Sequence, residues 1–192
     1  MKKKVTSIMT IGFMLIVASM TALAASNMPP QVGAELPAMN LQKPADSGEL
    51  KYLGLSGSGM FSPDQVKGQV LIIQIFSMYC PYCQKDAPNV NRFFGLIENN
   101  PQLKGKIKLI GIGAGNSQFE VNTFKKKYKV AFPLIPDGDF KIHKIVGEVR
   151  TPYFMVMKLN SSKKLEVVYS RLGAHENVEA FLAEVVKLGD VK

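Results

Sequence analysis

Cys80 and Cys83 are the only cysteines among the 192 residues, set three positions apart in the stretch SMYCPYCQKD. A pair at this spacing can close a small disulfide loop, hold part of a metal site, or exchange electrons with another molecule's thiols. As a staple it is weak, because closing a four-residue loop stabilises a fold by only about 2 kcal/mol. As a metal site it lacks partners. The only two histidines, His143 and His175, stand alone in sequence, and no four-ligand zinc set can be assembled from cysteines. Exchange is the chemistry left, and it depends on which elements hold the two sulfurs.

Val70 to Phe76 (VLIIQIF) is a short apolar, β-branched run of buried-strand length. From Pro81 onward the pattern turns helical, with Ala87, Val90, Phe93, Phe94 and Ile97 on one face. Pro81 suits a first helical position, where its missing N–H has no intrahelical partner. Cys80 is therefore expected at a strand-to-helix junction. Free N–H groups and the positive helix end there lower a thiol's pKa, and the thiolate is the attacking species. With no third cysteine, a disulfide can form only within the pair or transiently with another molecule. The residues favour redox exchange.

Further elements follow by the same reading. Ile107 to Ile112 is a second buried strand, and Ser117 opens a helix with Phe119, Val121, Phe124 and Tyr128 as apolar positions. Phe132 to Ile135 is a short extended piece, PDGD a turn, and Phe140 to Val146 a short helix. Tyr153 to Leu159 and Leu165 to Arg171 alternate as strands around the turn Asn160 to Lys163, and Glu176 to Leu188 closes the chain as an amphipathic helix. Turn residues in PADSGEL and SGSGMFSPD predict a strand or hairpin around Leu50 to Leu55. The segment GIGAGN follows a strand, but Asn116 stands where a dinucleotide fingerprint needs its third glycine, so it reads as a βα loop. The order β-α-β-α, then β-β-α, predicts an α/β fold: a mixed central sheet with helices on both faces.

Lys2 to Lys4, an apolar run from Ile8 to Ala25 and the close Ala22-Leu23-Ala24 read as a secretory signal over residues 1–24. An uncleaved membrane anchor is the alternative, weakened by Thr10, Gly12, Ser19 and Thr21. Cleavage leaves 168 residues, 25–192, and lowers the net charge from +9 to +6 because three lysines and no acid are lost. That length suits one domain, with 25–35 as a loose, Pro-containing lead-in. The remaining lysines are scattered among acids, the pattern of a solvated surface. An exported chain without a basic stripe interleaved with aromatics gives no reason to expect nucleic acid.

Strand, C-x-x-C, helix, then a distant Thr151-Pro152 heading a β-hairpin resemble the thioredoxin superfamily, and more narrowly its exported TlpA/ResA-like thiol–disulfide oxidoreductases. The likeness covers most of residues 25–192, through FSPDQVKGQVLIIQIFSMYCPYCQKDAPNVN and YKVAFPLIPDGDFKIHKIVGEVRTPYFMVMKLN. It implies a thioredoxin-like three-layer fold, with Cys80 as nucleophile and Cys83 as resolving thiol. Pro152 then matches the cis-proline facing the disulfide, and Thr151 the residue whose backbone pairs with substrate. Asp86 matches a modulating carboxylate, although an acid balancing the helix dipole explains it equally. Pro81 and Tyr82, between the cysteines, are the remaining modulating positions. The likeness implies protein thiol and disulfide substrates, a membrane or periplasmic electron donor or acceptor, a monomer, and no metal or other cofactor.

Some positions depart from the family pattern. Tyr79 stands where the family usually has Trp, and Gln74 where thioredoxins bury an Asp. The Pro-Tyr dipeptide, shared with glutaredoxins, leaves the redox direction open. The likeness favours a reducing role, such as preparing apocytochrome c thiols for haem. An oxidase or isomerase is the first alternative. A thiol peroxidase, with Arg150 as its candidate arginine, and a copper-binding chaperone using His143 or His175 are the others.

Overall fold

The computed structural model describes residues 28–159 and 164–192. The expected signal segment 1–24 and the turn Asn160 to Lys163 lie outside the described residues. The elements run β1 (Leu41–Gln42), α1 (Ser47–Leu53), β2 (Met60–Phe61), β3 (Val70–Phe76), α2 (Pro81–Glu98), β4 (Ile107–Ala114), α3 (Gln118–Tyr128), β5 (Leu134–Asp137), α4 (Lys141–Ile145), β6 (Tyr153–Leu159), β7 (Leu165–Leu172) and α5 (Val178–Gly189). Five strands form one mixed sheet in the order β5-β4-β3-β6-β7, and β1 pairs with β2 in a small antiparallel ribbon.

β3 is central because every residue in it is buried, with apolar side chains available to both faces. Val70, Ile72 and Phe76 face one layer, where Val90 and Phe93 of α2, Val121 and Phe124 of α3, and Phe181 and Val185 of α5 pack against them. Leu71, Ile73 and Ile75 face the other layer, against Leu53 of α1, Phe61 of β2, and Ile142 and Val146 around α4. Three layers result, each sealed by the two-residue alternation of the strands. β3 runs parallel to β4 and antiparallel to β6, with Ile75 opposite Tyr153. The C-terminal end of β3 therefore meets the N-terminal end of β6. That register carries the cysteine loop to Thr151 and Pro152.

Four expectations are corrected. Leu50 to Leu55 is not a strand: residues 47–53 form α1, which Asp46 caps by accepting the Glu49 N–H, and Gly54 ends it at φ 70°. The turn-like composition of PADSG was a helix start. The strand expected at Ile107 to Ile112 continues to Ala114, so Gly113 also lies within β4, not in a loop. Phe119 is 77% exposed, because the buried stripe of α3 is the narrower Val121 and Phe124. The lead-in is held at its end, where the Gly33 and Leu36 N–H groups donate to Val167 and Leu165 carbonyls at 2.8 Å and cover the β7 edge.

Candidate active site

Cys80 occupies the N-cap position of α2 with extended backbone (φ −79°, ψ 116°), and Pro81 is the first helical residue. Its carbonyl starts the helix by accepting the Gln84 N–H at 3.1 Å. Cys80 is partly exposed, whereas Cys83, one turn in, is 1% exposed and packs with the core beside Phe76 and Phe93. The two sulfurs are free thiols. Tyr79, just before the pair, and Tyr82, between its two members, are 64% and 71% exposed.

The Cys80 thiol donates to the Thr151 carbonyl oxygen at 3.3 Å, across the junction of β3 and β6. The Thr151–Pro152 bond is cis, and Pro152 is buried. The structure thus brings Thr151, which precedes the cis Pro152, to the cysteine pair. Burial works against a charge on Cys80, but hydrogen bonding from the Thr151 side chain, from Cys83 and from the Tyr82 backbone outweighs it and holds the thiol below its ordinary range. Burial dominates at Cys83 and pushes its pKa up to about 12, with the Ser77 backbone working the other way. The two thiols are therefore unequal: the thiolate is favoured at Cys80 and disfavoured at Cys83.

Asp86 is 2% exposed. Asn89 donates to one carboxylate oxygen at 3.3 Å, and the other has no hydrogen-bond partner among the described residues. Burial raises its pKa to about 6. This is not the solvated acid that balances a helix dipole. It lines a groove of about 390 Å³ together with Tyr82, Lys85, Arg150, Thr151 and Pro152. Behind it a small apolar cavity leads to His175, which stacks flat on Phe181 at 3.6 Å between ring centres. Burial and the nearby Arg171 charge lower the His175 pKa to about 4. His143 instead contacts the Val149 carbonyl at 2.8 Å on α4. Among the described residues, no cluster of three or more His, Cys, Asp or Glu is placed to hold a metal.

Three residues at the site were not found from the sequence. Asn116, fully buried, accepts the Met78 N–H at 2.8 Å through Oδ1. Gln84 donates to the Met78 carbonyl at 2.7 Å. Glu120 accepts from the Tyr79 hydroxyl. A signal for Asn116 was present: it follows β4, and sites in such sheets form beyond the carboxyl ends of adjacent parallel strands.

Residues 32–165 match the AhpC/TSA family. The chain belongs to that family. The thiol–disulfide oxidoreductase ResA of Halalkalibacterium halodurans is similar, at 20% identity over 123 residues. That alignment covers 64% of this chain and 65% of the relative, so this chain spans 65% of the length of the curated relative it matches. The fold is thioredoxin-like. A Chlorobium tepidum protein described as the thiol:disulfide interchange protein DsbE superposes with a TM-score of 0.62 at 12% identity, covering 83% of this chain and 99% of that one. StoA of Bacillus subtilis superposes at 0.51 with 21% identity, covering 65% and 87%. No helix among the described residues is long and apolar enough to cross a membrane.

Proposed function

We propose that this family member is an exported thiol–disulfide oxidoreductase that acts on protein disulfides through Cys80 and Cys83. The reading is carried by one observation: a partly exposed, acidified thiol at a helix start, one turn from a buried thiol of raised pKa. The similarity to ResA supports the same activity. The Cys80 thiolate attacks one sulfur of a substrate disulfide, that S–S bond breaks, and the departing thiolate takes a proton from water. Cys83 loses its proton to water and attacks Cys80 Sγ. The second substrate sulfur leaves, and two electrons have passed from the enzyme pair to the substrate. An extracytoplasmic dithiol donor then restores the pair. Thr151 and Pro152 form the wall along which an extended substrate lies, and Asp86 takes the modulating role beneath it.

We assign the reducing direction, with thiols awaiting haem attachment as one substrate class, and export by residues 1–24. Equilibration of the Cys80–Cys83 pair in dithiothreitol buffers, read by mass spectrometry after acid quenching, tests the direction. A potential near or below the roughly −270 mV of thioredoxin supports a reductase, and one near the roughly −120 mV of a strong oxidant reverses the assignment.

A further inference from the structure

The groove beside Cys80 is walled by three segments: α2, the residues leading into β6, and the link between β7 and α5. At its inner end the Thr151 carbonyl accepts the Cys80 thiol at 3.3 Å. From there the groove runs away from β3, because β7 lies beyond β6 in the sheet. Leu172 is paired with Tyr153, and the Gly173 N–H donates to the Pro152 carbonyl at 2.9 Å. Glu176, just past Gly173 and Ala174, borders the outer end.

The charged residues that line it are unevenly placed. Lys85 lies early in α2 and Arg150 immediately precedes Thr151, so both belong to the inner end. Both are exposed, and among the described residues neither makes an ion pair. Two carboxylates oppose them. Glu176 stands at the outer end, and Asp86 is buried in the floor, with Asn89 donating to one of its oxygens. Asp86 cannot follow a ligand, whereas Lys85 and Arg150 carry their charges on long side chains in solvent. At the inner end the two cations therefore set the sign that a substrate side chain meets.

We propose that Lys85 and Arg150 determine specificity: they select protein disulfides whose attacked cysteine is flanked by an acidic side chain and disfavour those flanked by a basic one. This inference rests on the exchange reading above and deepens it by naming the class of substrate. Complementary charge of this kind acts mainly on encounter and on the choice between partners. Each exposed pair is worth about 1.5- to 5-fold in rate at low salt. The preference is therefore a sum of two modest effects, and salt screens it.

The test mixes the full chain, reduced, with peptides closed by one internal disulfide and differing only in the residue beside each cysteine: Glu, Gln or Lys. In each reaction the peptide S–S bond breaks, the Cys80–Cys83 bond forms, and two electrons pass to the peptide, which leaves as a dithiol. Rates are read by mass spectrometry after acid quenching and divided by each peptide's rate with dithiothreitol, which removes differences in the peptides' own reactivity. At neutral pH and low salt the Glu peptide should react about 10-fold faster than the Lys peptide, with Gln between them. That ratio should shrink towards one in 1 M salt, where charges are screened within about 3 Å. Lys85→Gln and Arg150→Gln should each lower it about 1.5- to 5-fold, and Lys85→Glu combined with Arg150→Glu should invert it. Because the ratio is taken within each protein, a general change in thiol reactivity cancels. Equal rates for the three peptides, a preference for Lys, or a preference for Glu that survives loss of both cations overturns the proposal. A wild-type protein that reduces none of the peptides overturns the exchange reading itself, a different result.

Discussion

Cys80 Sγ lies 3.3 Å from the Thr151 carbonyl oxygen, although 71 residues separate them in the chain. Antiparallel pairing of β3 with β6 brings the two segments to the same end of the sheet, where Ile75 and Tyr153 are opposite each other. On the proposed reading, an extended substrate entering beside Thr151 would meet the partly exposed sulfur and not the buried Cys83.

The two thiols should titrate far apart. With the Cys80 pKa lowered and that of Cys83 raised to about 12, iodoacetamide near neutral pH should label Cys80 alone in the folded protein. The labelling rate should rise with pH to a midpoint below the ordinary thiol value of 9.0. Peptide mapping after brief alkylation reads this directly. Early modification of Cys83 would reverse the proposed roles.

Asp86 and His175 should give opposite pH dependences to stability. Asp86 has a folded pKa of about 6 against an ordinary 3.8, so the folded state binds the extra proton between those values and stability falls as pH rises through that window. His175 has a folded pKa of about 4 against 6.5, so its contribution is complete above 6.5 and is lost as pH falls towards 4. In the wild type the two partly cancel. Asp86→Asn should add roughly 1–2 kcal/mol at pH 7, allowing for solvent screening, and leave a steeper loss of stability on acidification. His175→Phe should uncover the reverse slope. Urea midpoints between pH 4 and 7 measure both, and parallel curves for all three proteins would show that neither group titrates as described.

Gly113 should tolerate no side chain. A Cβ there meets Val121 Cγ1 at 2.7 Å and the Asn116 side chain at 3.1 Å, inside a filled core. Gly113→Ala should cost about 1–3 kcal/mol by overpacking, seen as a lower urea midpoint. Wild-type stability would mean that β4 and α3 are packed more loosely than described.

The site was legible where residue chemistry and element length agreed. Val70–Phe76 is β-branched, apolar and bounded, and Pro81 announces the helix, so the position of Cys80 followed from sequence. The approach of Thr151 did not follow from local pattern, because it depends on strand register; only the family resemblance supplied it. Asp86 was ambiguous for a different reason. Near a helix start an acid can face water or the core, and only the closure of α5 and the β6–β7 hairpin over α2 buries it. Asn116 was missed because GIGAGN was measured against a phosphate-binding loop, whereas its glycines make space inside β4 and its turn. In α1, Asp46-Ser47-Gly48 has the composition of a turn and the geometry of a cap, and composition alone cannot separate the two.

Trapping tests the proposed exchange most directly. Cys83→Ser and Cys80→Ser proteins, each reduced and then mixed with a protein carrying an accessible disulfide, are quenched with acid and examined by non-reducing electrophoresis and mass spectrometry. Cys83→Ser should accumulate a one-to-one mixed disulfide through Cys80, because the attack can occur and the release cannot. Cys80→Ser should accumulate almost none, since the remaining thiol is buried and protonated. A mixed disulfide that forms through Cys83, or none with either protein, would contradict the assignment of Cys80 as the nucleophile.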